Sequence, residues 1–424
     1  MNHNASDNEI QNRLKESIGQ VQLANGLRIV TERVPSIQSV TLGIQIETGS
    51  RDESHATPGI AHFTEHALFK GTSNLSCLDI ARNSEMHGGY IDAYTTKEHT
   101  CLYIRTLPEH LASSFALLAE LVTEPLFPVE EINREIEVVL EEITSVNDAP
   151  EEMIVEEFDK RALPDHPLGS PILGTKKSIR GISSRKLKKF VRQYYRPGNM
   201  ILTATGQLEH EAIATLADRY LGHTDDTAAL ILPRTPFLQA DYHPFEHSKR
   251  IPFSQAQLII GTMLPRHDPH YYSLMLLNMI LGEGMSSILN MELREKRGLV
   301  YSALSSIMFF SDMTTLNISA GSDSGKTEKI QELVMEILNS DAFRHPAPET
   351  IATAKTRLLG LLVMEREKMT RRMSQTASDL SYFGRYVPLE EKKAAVAALT
   401  PEKVGEAADS LCNSPMSSLI YKPR

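Results

Sequence analysis

A chain of 424 residues exceeds one typical domain and has room for two or three, each large enough to bury a core. Its 41% apolar and 23% charged residues are those of a soluble globular protein, and a formal net charge of -10 argues against nucleic acid as a partner, because phosphate binding needs a clustered cationic surface. The 3 cysteines, Cys77, Cys101 and Cys412, form no C-x-x-C pair and no complete disulfide framework, so a reducing compartment is expected. The opening stretch MNHNASDNEIQNRLKESIG is polar and has no apolar h-region. Neither signal peptide nor membrane span is expected from it, and cytoplasmic residence follows as the default.

QVQLANGLRIVTERV then alternates apolar and polar residues around Asn25-Gly26, the pattern of a hairpin with a two-residue turn. SVTLGIQIETGS continues as a strand with Leu42, Ile44 and Ile46 on one face. Next comes GIAHFTEHALFKGT, which carries His62, Glu65 and His66. Residues three and four apart share one face of a helix, so the two imidazoles can chelate one ion with the carboxylate beside them. Thr57 is placed to act as N-cap with Pro58 at the first helical position, and Gly71 to act as a left-handed stop. Two neutral histidines, a carboxylate and an open position describe a catalytic zinc site, with Glu65 as the base that takes a proton from water. The H-x-x-E-H order inverts the commoner H-E-x-x-H and marks the inverzincins.

Downstream, SCLDIARNSEMHGG reads as a helix ending at Gly88-Gly89, YIDAYTTKEHTCLYIRTLP as two strand segments, and LASSFALLAELVTE as a helix. The acidic stretch between Pro128 and Pro150 is helical, with Ile132, Ile136, Val139 and Ile143 as its apolar stripe. Glu135 and Glu142 stand two turns apart on it, so both can look towards the histidines, one as ligand and one as support. A helix through EMIVEEFDKRAL, a loop rich in Pro and Gly, a basic helix from Ser183 or Ser184, and a strand in YRPGNMILTATGQL complete the half. RKLKKFVRQ in the basic helix is a solvated face with no assigned function.

Residues 223–249, with Pro233, Pro236 and Pro244 and no sustained periodicity, mark a linker between domains 1–222 and 250–424. The second half repeats the first: IPFSQAQLIIGTML stands for the strand before the histidine helix, and HYYSLMLLNMILGEG for that helix without its ligands. SSILNMELREKRG as a helix, strands YSALSSIMFFSD and TTLNISAGS, and helices Lys326 to Asn339 and Pro348 to Met369 follow in the same order. Two copies of one α+β unit are expected, one of them holding metal.

The chain resembles the pitrilysin and mitochondrial processing peptidase family of zinc metallopeptidases along nearly its whole length. Besides H-x-x-E-H, the matching stretches are GSRDE at Gly49, GGYIDAYTTKEHT at Gly88, REIEVVLEEI, HPLGSPILGT at His166, YRPGNM at Tyr195 and LGEGMSSILNMELREKRGLVYS at Leu281. The resemblance implies two similar α/β-roll domains, each a mixed, mostly antiparallel sheet covered by helices. It implies one zinc ion per chain on His62, His66 and Glu142, with Glu135 supporting, and a peptide or unfolded polypeptide substrate held in a closed chamber. It places substrate contacts at Asp92, where the family usually has asparagine, and Ala93, and on Arg294 and Tyr301, the latter beside the developing oxyanion. Longer relatives carry four such domains, so a homodimer is implied, or a heterodimer with a related chain, with Arg294 and Tyr301 serving the other chain's metal. The family also includes silent partner subunits that have lost ligands, whereas the ligand set here is complete.

Overall fold

The Asn25-Gly26 turn opens the first sheet: β1 (Ser17–Gln22) pairs antiparallel with β2 (Arg28–Arg33). Leu23 donates to the Leu27 carbonyl, so three residues, not two, form the loop, and the third, Gly26, takes the left-handed φ of +89° that such loops require. The computed structural model describes residues 17–86, 88–223 and 233–424, so part of the expected linker lies outside the described residues.

The first sheet has the order β1-β2-β6-β3-β5-β4, with β3 (Val40–Ile46) at its centre, β4 (Tyr90–Thr95) at one edge, β5 (Thr100–Thr106) beside it, and β6 (Met200–Gly206) parallel to β2. The second sheet has the order β7-β11-β8-β10-β9, built from β7 (Glu246–Ile251), β8 (Ala256–Pro265), β9 (Val300–Phe309), β10 (Met313–Ser322) and β11 (Ser417–Pro423). Leaving out β1, the two orders match strand for strand, each with one parallel pair next to an antiparallel run. The repeat is thus one topology used twice, and both sheets are mixed and covered by helices.

The chain divides into two compact units, neither of them a contiguous half. Against the expected division at 1–222 and 250–424, segment Glu365–Val387 belongs to the first unit and Thr144–Ser170 to the second. The helix Met369–Phe383 sets Ala377 and Leu380 against Val30 and Ile201 of the first sheet, and Thr205 donates to the Met369 carbonyl. Arg372 donates to the buried Glu32 at 3.0 Å, and Arg366 pairs with the same carboxylate. Consequently β3 is buried on both faces rather than one. In the second unit the helix Pro150–Ala162 packs Ile154 and Phe158 against Ile259, Leu419 and Tyr421. Burial of these apolar faces is what carries each segment across the sequence boundary.

Among the described residues, helices that the sequence pattern does not announce include Met369–Phe383, His210–Leu221, Leu389–Ala397 and Pro401–Cys412, with the short Lys176–Arg180 and Asp341–Arg344. The expected helix around Arg294 is instead a π-helix, Asn290–Glu295, closed by a Lys296 N–H to Met291 carbonyl bond. Among the described residues no helix is long and apolar enough to cross a membrane.

Candidate metal centre

The strand β3 hands the chain to the helix Ile60–Leu68 through the turn Gly49–Glu53, and that turn explains the GSRDE stretch. The Asp52 carboxylate accepts from Gly49 N–H at 2.9 Å and from Arg234 at 3.0 Å, while Arg51 donates to Glu98 at 2.6 Å. Glu53 accepts from the Gly59 and Ala61 N–H groups at 2.7 Å each, so it does the work of an N-cap side chain from a distance. Thr57 and Pro58 are therefore not the cap. The helix starts two residues later, after Gly59 at φ +86°, where a Cβ would stand 2.5 Å from the Leu173 carbonyl oxygen. Its end also comes early: Phe69 is the C-cap, and Gly71 lies beyond in a bridge to Ser76.

His62 and Glu65 are each only 8% exposed, and His66 lies a turn further on with its ring centroid 4.6 Å from that of His62. The helix Val129–Asp148 brings Glu135 and Glu142 to them, its buried Ile132, Val139 and Ile143 seated in the core and Ile136 half-buried at the margin. Glu142 Oε1 stands 3.7 Å from His62 Nε2, and Oε2 stands 3.7 Å from His66 Nε2. One ligand atom from each of His62, His66 and Glu142 lies within 4.8 Å of the others. Glu141, one residue away, is exposed.

The other nitrogen of His66, Nδ1, donates to Glu135 Oε1 at 2.8 Å, and Lys70 Nζ donates to Oε2 at 2.6 Å. Glu135 thus fixes the His66 tautomer that leaves Nε2 a lone pair directed at Glu142. Thr95 Oγ1 donates to Glu65 Oε2 at 2.6 Å. Sequence pattern does not single out Thr95, Lys70 or Glu53 for these contacts; Lys70 is within its reach, lying four residues after His66 in the helix expected to run to Gly71, although the helix itself ends at Leu68.

Burial sets much of the electrostatics. It lowers His62 to about 4, keeping that imidazole neutral and able to coordinate. Burial also works to lower His66, but the bond to Glu135 and the nearby carboxylates outweigh it and leave the ring above its usual value. Burial raises Glu65 and Glu142. It works in the same direction on Glu135, but the donors His66 and Lys70 prevail and hold that carboxyl below its usual range. Two buried polar atoms of the cluster, His62 Nδ1 and Glu142 Oε2, have no hydrogen-bond partner. Two imidazole nitrogens and a carboxylate converging around an unsatisfied buried oxygen suit a small, borderline-soft divalent cation, which would displace a proton from His66 on binding.

Asp92 and Ala93 lie on the edge strand β4 of the same unit. Asp92 Oδ2 accepts from Tyr90 at 2.6 Å and Tyr103 at 3.0 Å, and Oδ1 from the Ala93 N–H at 2.9 Å. Arg294 and Tyr301 belong to the second unit. Both are exposed: Arg294 sits on the π-helix, and Tyr301 on β9 donates to Asp323 at 2.7 Å.

Comparison with known proteins gives two adjoining family matches: "Insulinase (Peptidase family M16)" over residues 28–176 and "Peptidase M16 inactive domain" over residues 181–358. An uncharacterized zinc protease of Mycobacterium leprae is 31% identical, with 95% of this chain and 91% of the relative covered. One from Rickettsia felis is 31% identical over 97% and 98%, and one from Bacillus subtilis, YmxG, 29% over 94% and 97%. Among solved structures, a protease from Helicobacter pylori has the same fold, with a TM-score of 0.89 at 23% identity, covering 96% of this chain and 100% of that one.

Proposed function

From the premise that the chain belongs to the insulinase (peptidase M16) family, we propose that it is a zinc-dependent endopeptidase that hydrolyses peptide bonds in short or unfolded polypeptides. The observation that carries this reading is the convergence of His62, His66 and Glu142 within 4.8 Å, with the buried Glu65 on the same helical turn. His62, His66 and Glu142 would hold one zinc ion per chain, and Glu135 keeps His66 in its coordinating tautomer. Zinc bound there would supply Lewis acidity to a carbonyl oxygen and acidity to water.

Glu65 accepts the proton of the attacking water on its free oxygen and returns it to the departing amine nitrogen. The substrate backbone adds to β4 as a further strand, which supplies hydrogen bonds along Ile91–Thr95 without demanding particular side chains. Tyr301 donates to the developing oxyanion, and Arg294 holds the chain beyond it. We assign these two residues to the metal site of a second copy, in a twofold dimer that encloses a chamber. The three free cysteines fit a reducing compartment such as the cytoplasm. The deciding experiment measures zinc content and cleavage of an unstructured peptide by purified protein and by Glu65→Gln. Zinc-free protein, or cleavage undiminished in the variant, would refute the reading.

A further inference from the structure

Thr95 closes the edge strand β4, and its hydroxyl donates to Glu65 Oε2 at 2.6 Å. The next hydroxyl behind it, Thr100 Oγ1 at 3.4 Å, directs its own proton to the Thr48 carbonyl at 3.0 Å. Asn199 Nδ2 in turn donates to Thr48 Oγ1 at 2.9 Å, and Thr48, Thr100 and Asn199 are all buried. With both protons committed elsewhere, the 3.4 Å approach of Thr95 and Thr100 is a contact only; the pairing of Thr95 with Thr100 across β4 and β5 is what places the Thr95 hydroxyl beside Glu65. Among the described residues no hydrogen bond is made to Glu65 Oε1. One oxygen of the buried carboxylate is therefore held and the other is open.

A general base works only if its accepting lone pair meets the proton at hydrogen-bond distance. A carboxylate with both oxygens unheld rotates about its last torsion, which is broad and roughly twofold. We propose that Thr95 is a positioning residue for catalysis: it locks the Glu65 carboxylate by Oε2 so that Oε1 is the oxygen offered to the reacting water. This rests on the peptidase reading above and deepens it. Because Thr95 is also the last residue of the strand assigned to the substrate backbone, one residue sets both the base and the peptide that the base serves.

Thr95→Val keeps the branched shape and the strand preference while removing the hydroxyl, and Thr95→Ser keeps the hydroxyl. Expected for Thr95→Val is a kcat loss of roughly 10- to 100-fold, the size of effect that a small misplacement of a reacting group produces. KM, zinc stoichiometry and melting temperature should stay at wild-type values, and Thr95→Ser should restore most of kcat. A readout independent of turnover is the carboxyl 13C resonance of Glu65 in metal-free protein labelled at glutamate and assigned by its absence in Glu65→Gln. It should shift in Thr95→Val and return in Thr95→Ser. Wild-type kcat in Thr95→Val, a loss that Thr95→Ser fails to restore, a loss that follows zinc content, or an unmoved resonance would each overturn the role. Wild-type protein that binds zinc yet cleaves no peptide would overturn the peptidase reading instead, and the resonance would still report on the hydrogen bond.

Discussion

Glu135 holds His66 by Nδ1 at 2.8 Å, while Glu142, two turns along the same helix, faces Nε2 of that ring at 3.7 Å. One carboxylate therefore orients the imidazole and the other shares its coordinating side. Glu142→Gln should lower zinc affinity strongly, because a charged ligand is replaced by a weak neutral one. Glu135→Gln should lower it by roughly 10- to 100-fold, the usual cost of losing the partner that orients a ligand. Chelator competition measures both, and full zinc affinity in Glu142→Gln would redirect the search to Glu135 or Glu141.

Glu65→Gln should keep its zinc and lose roughly 10²- to 10⁴-fold in kcat, since the amide preserves shape but cannot take a proton. Metal analysis and peptide turnover on the same preparation separate the two effects. Activity close to wild type would remove Glu65 from the role of base.

Asp92 on β4 stands where the resemblance implies asparagine, and both of its oxygens accept hydrogen bonds, from Tyr90, Tyr103 or the Ala93 N–H. The added negative charge should favour basic residues near the cut, so Asp92→Asn should reduce that preference while leaving zinc in place. Profiling with matched acidic and basic peptides tests this. Identical profiles for the two proteins would exclude Asp92 from specificity.

Arg294 and Tyr301 belong to the second unit and the histidine cluster to the first. If they serve the other chain, mixing Glu65→Gln with Arg294→Ala, Tyr301→Phe under conditions of subunit exchange should restore activity to about a quarter of wild type. Half of the dimers would be mixed, each with one intact composite site of two. No recovery despite verified exchange would place the two residues on their own chain's site.

Glu157 in the second unit accepts from Tyr421 and Arg161 and pairs with Lys249. Burial works to raise its carboxyl, but these donors prevail and bring it from 4.5 down to about 2. Because the folded value lies below the unfolded one, the stabilisation is fully present above about pH 4.5 and disappears as pH falls towards 2. Glu157→Gln should therefore destabilise the protein by about 1 to 3 kcal/mol at neutral pH, as expected for breaking a partly buried charged network, and by little near pH 2. Denaturant unfolding at several pH values measures it, and a difference independent of pH would show that the carboxylate charge is not what stabilises.

Much of the centre was legible in sequence because its information is local. His62, Glu65 and His66 lie within one helical turn, and Glu135 and Glu142 within two, so helical spacing alone states which side chains share a face. The doubled topology was legible too, since strand and helix patterns recur in order. What local pattern could not state is which distant segment covers a given face. Leu42, Ile44 and Ile46 announce one apolar face of β3, but its other face is Thr41, Gly43 and Gln45, which reads as solvent-facing. Only the tertiary structure fills it: a Cβ at Gly43 would stand 2.3 Å from Met373 Sδ, and Gln45 donates to Ser381 at 2.7 Å. The helix Met369–Phe383 is amphipathic wherever it packs, so its sequence expresses the need for an apolar partner without naming one. The same limit hid Thr95, because a hydroxyl on a strand becomes a holder of Glu65 only when the sheet sets β4 against the histidine helix.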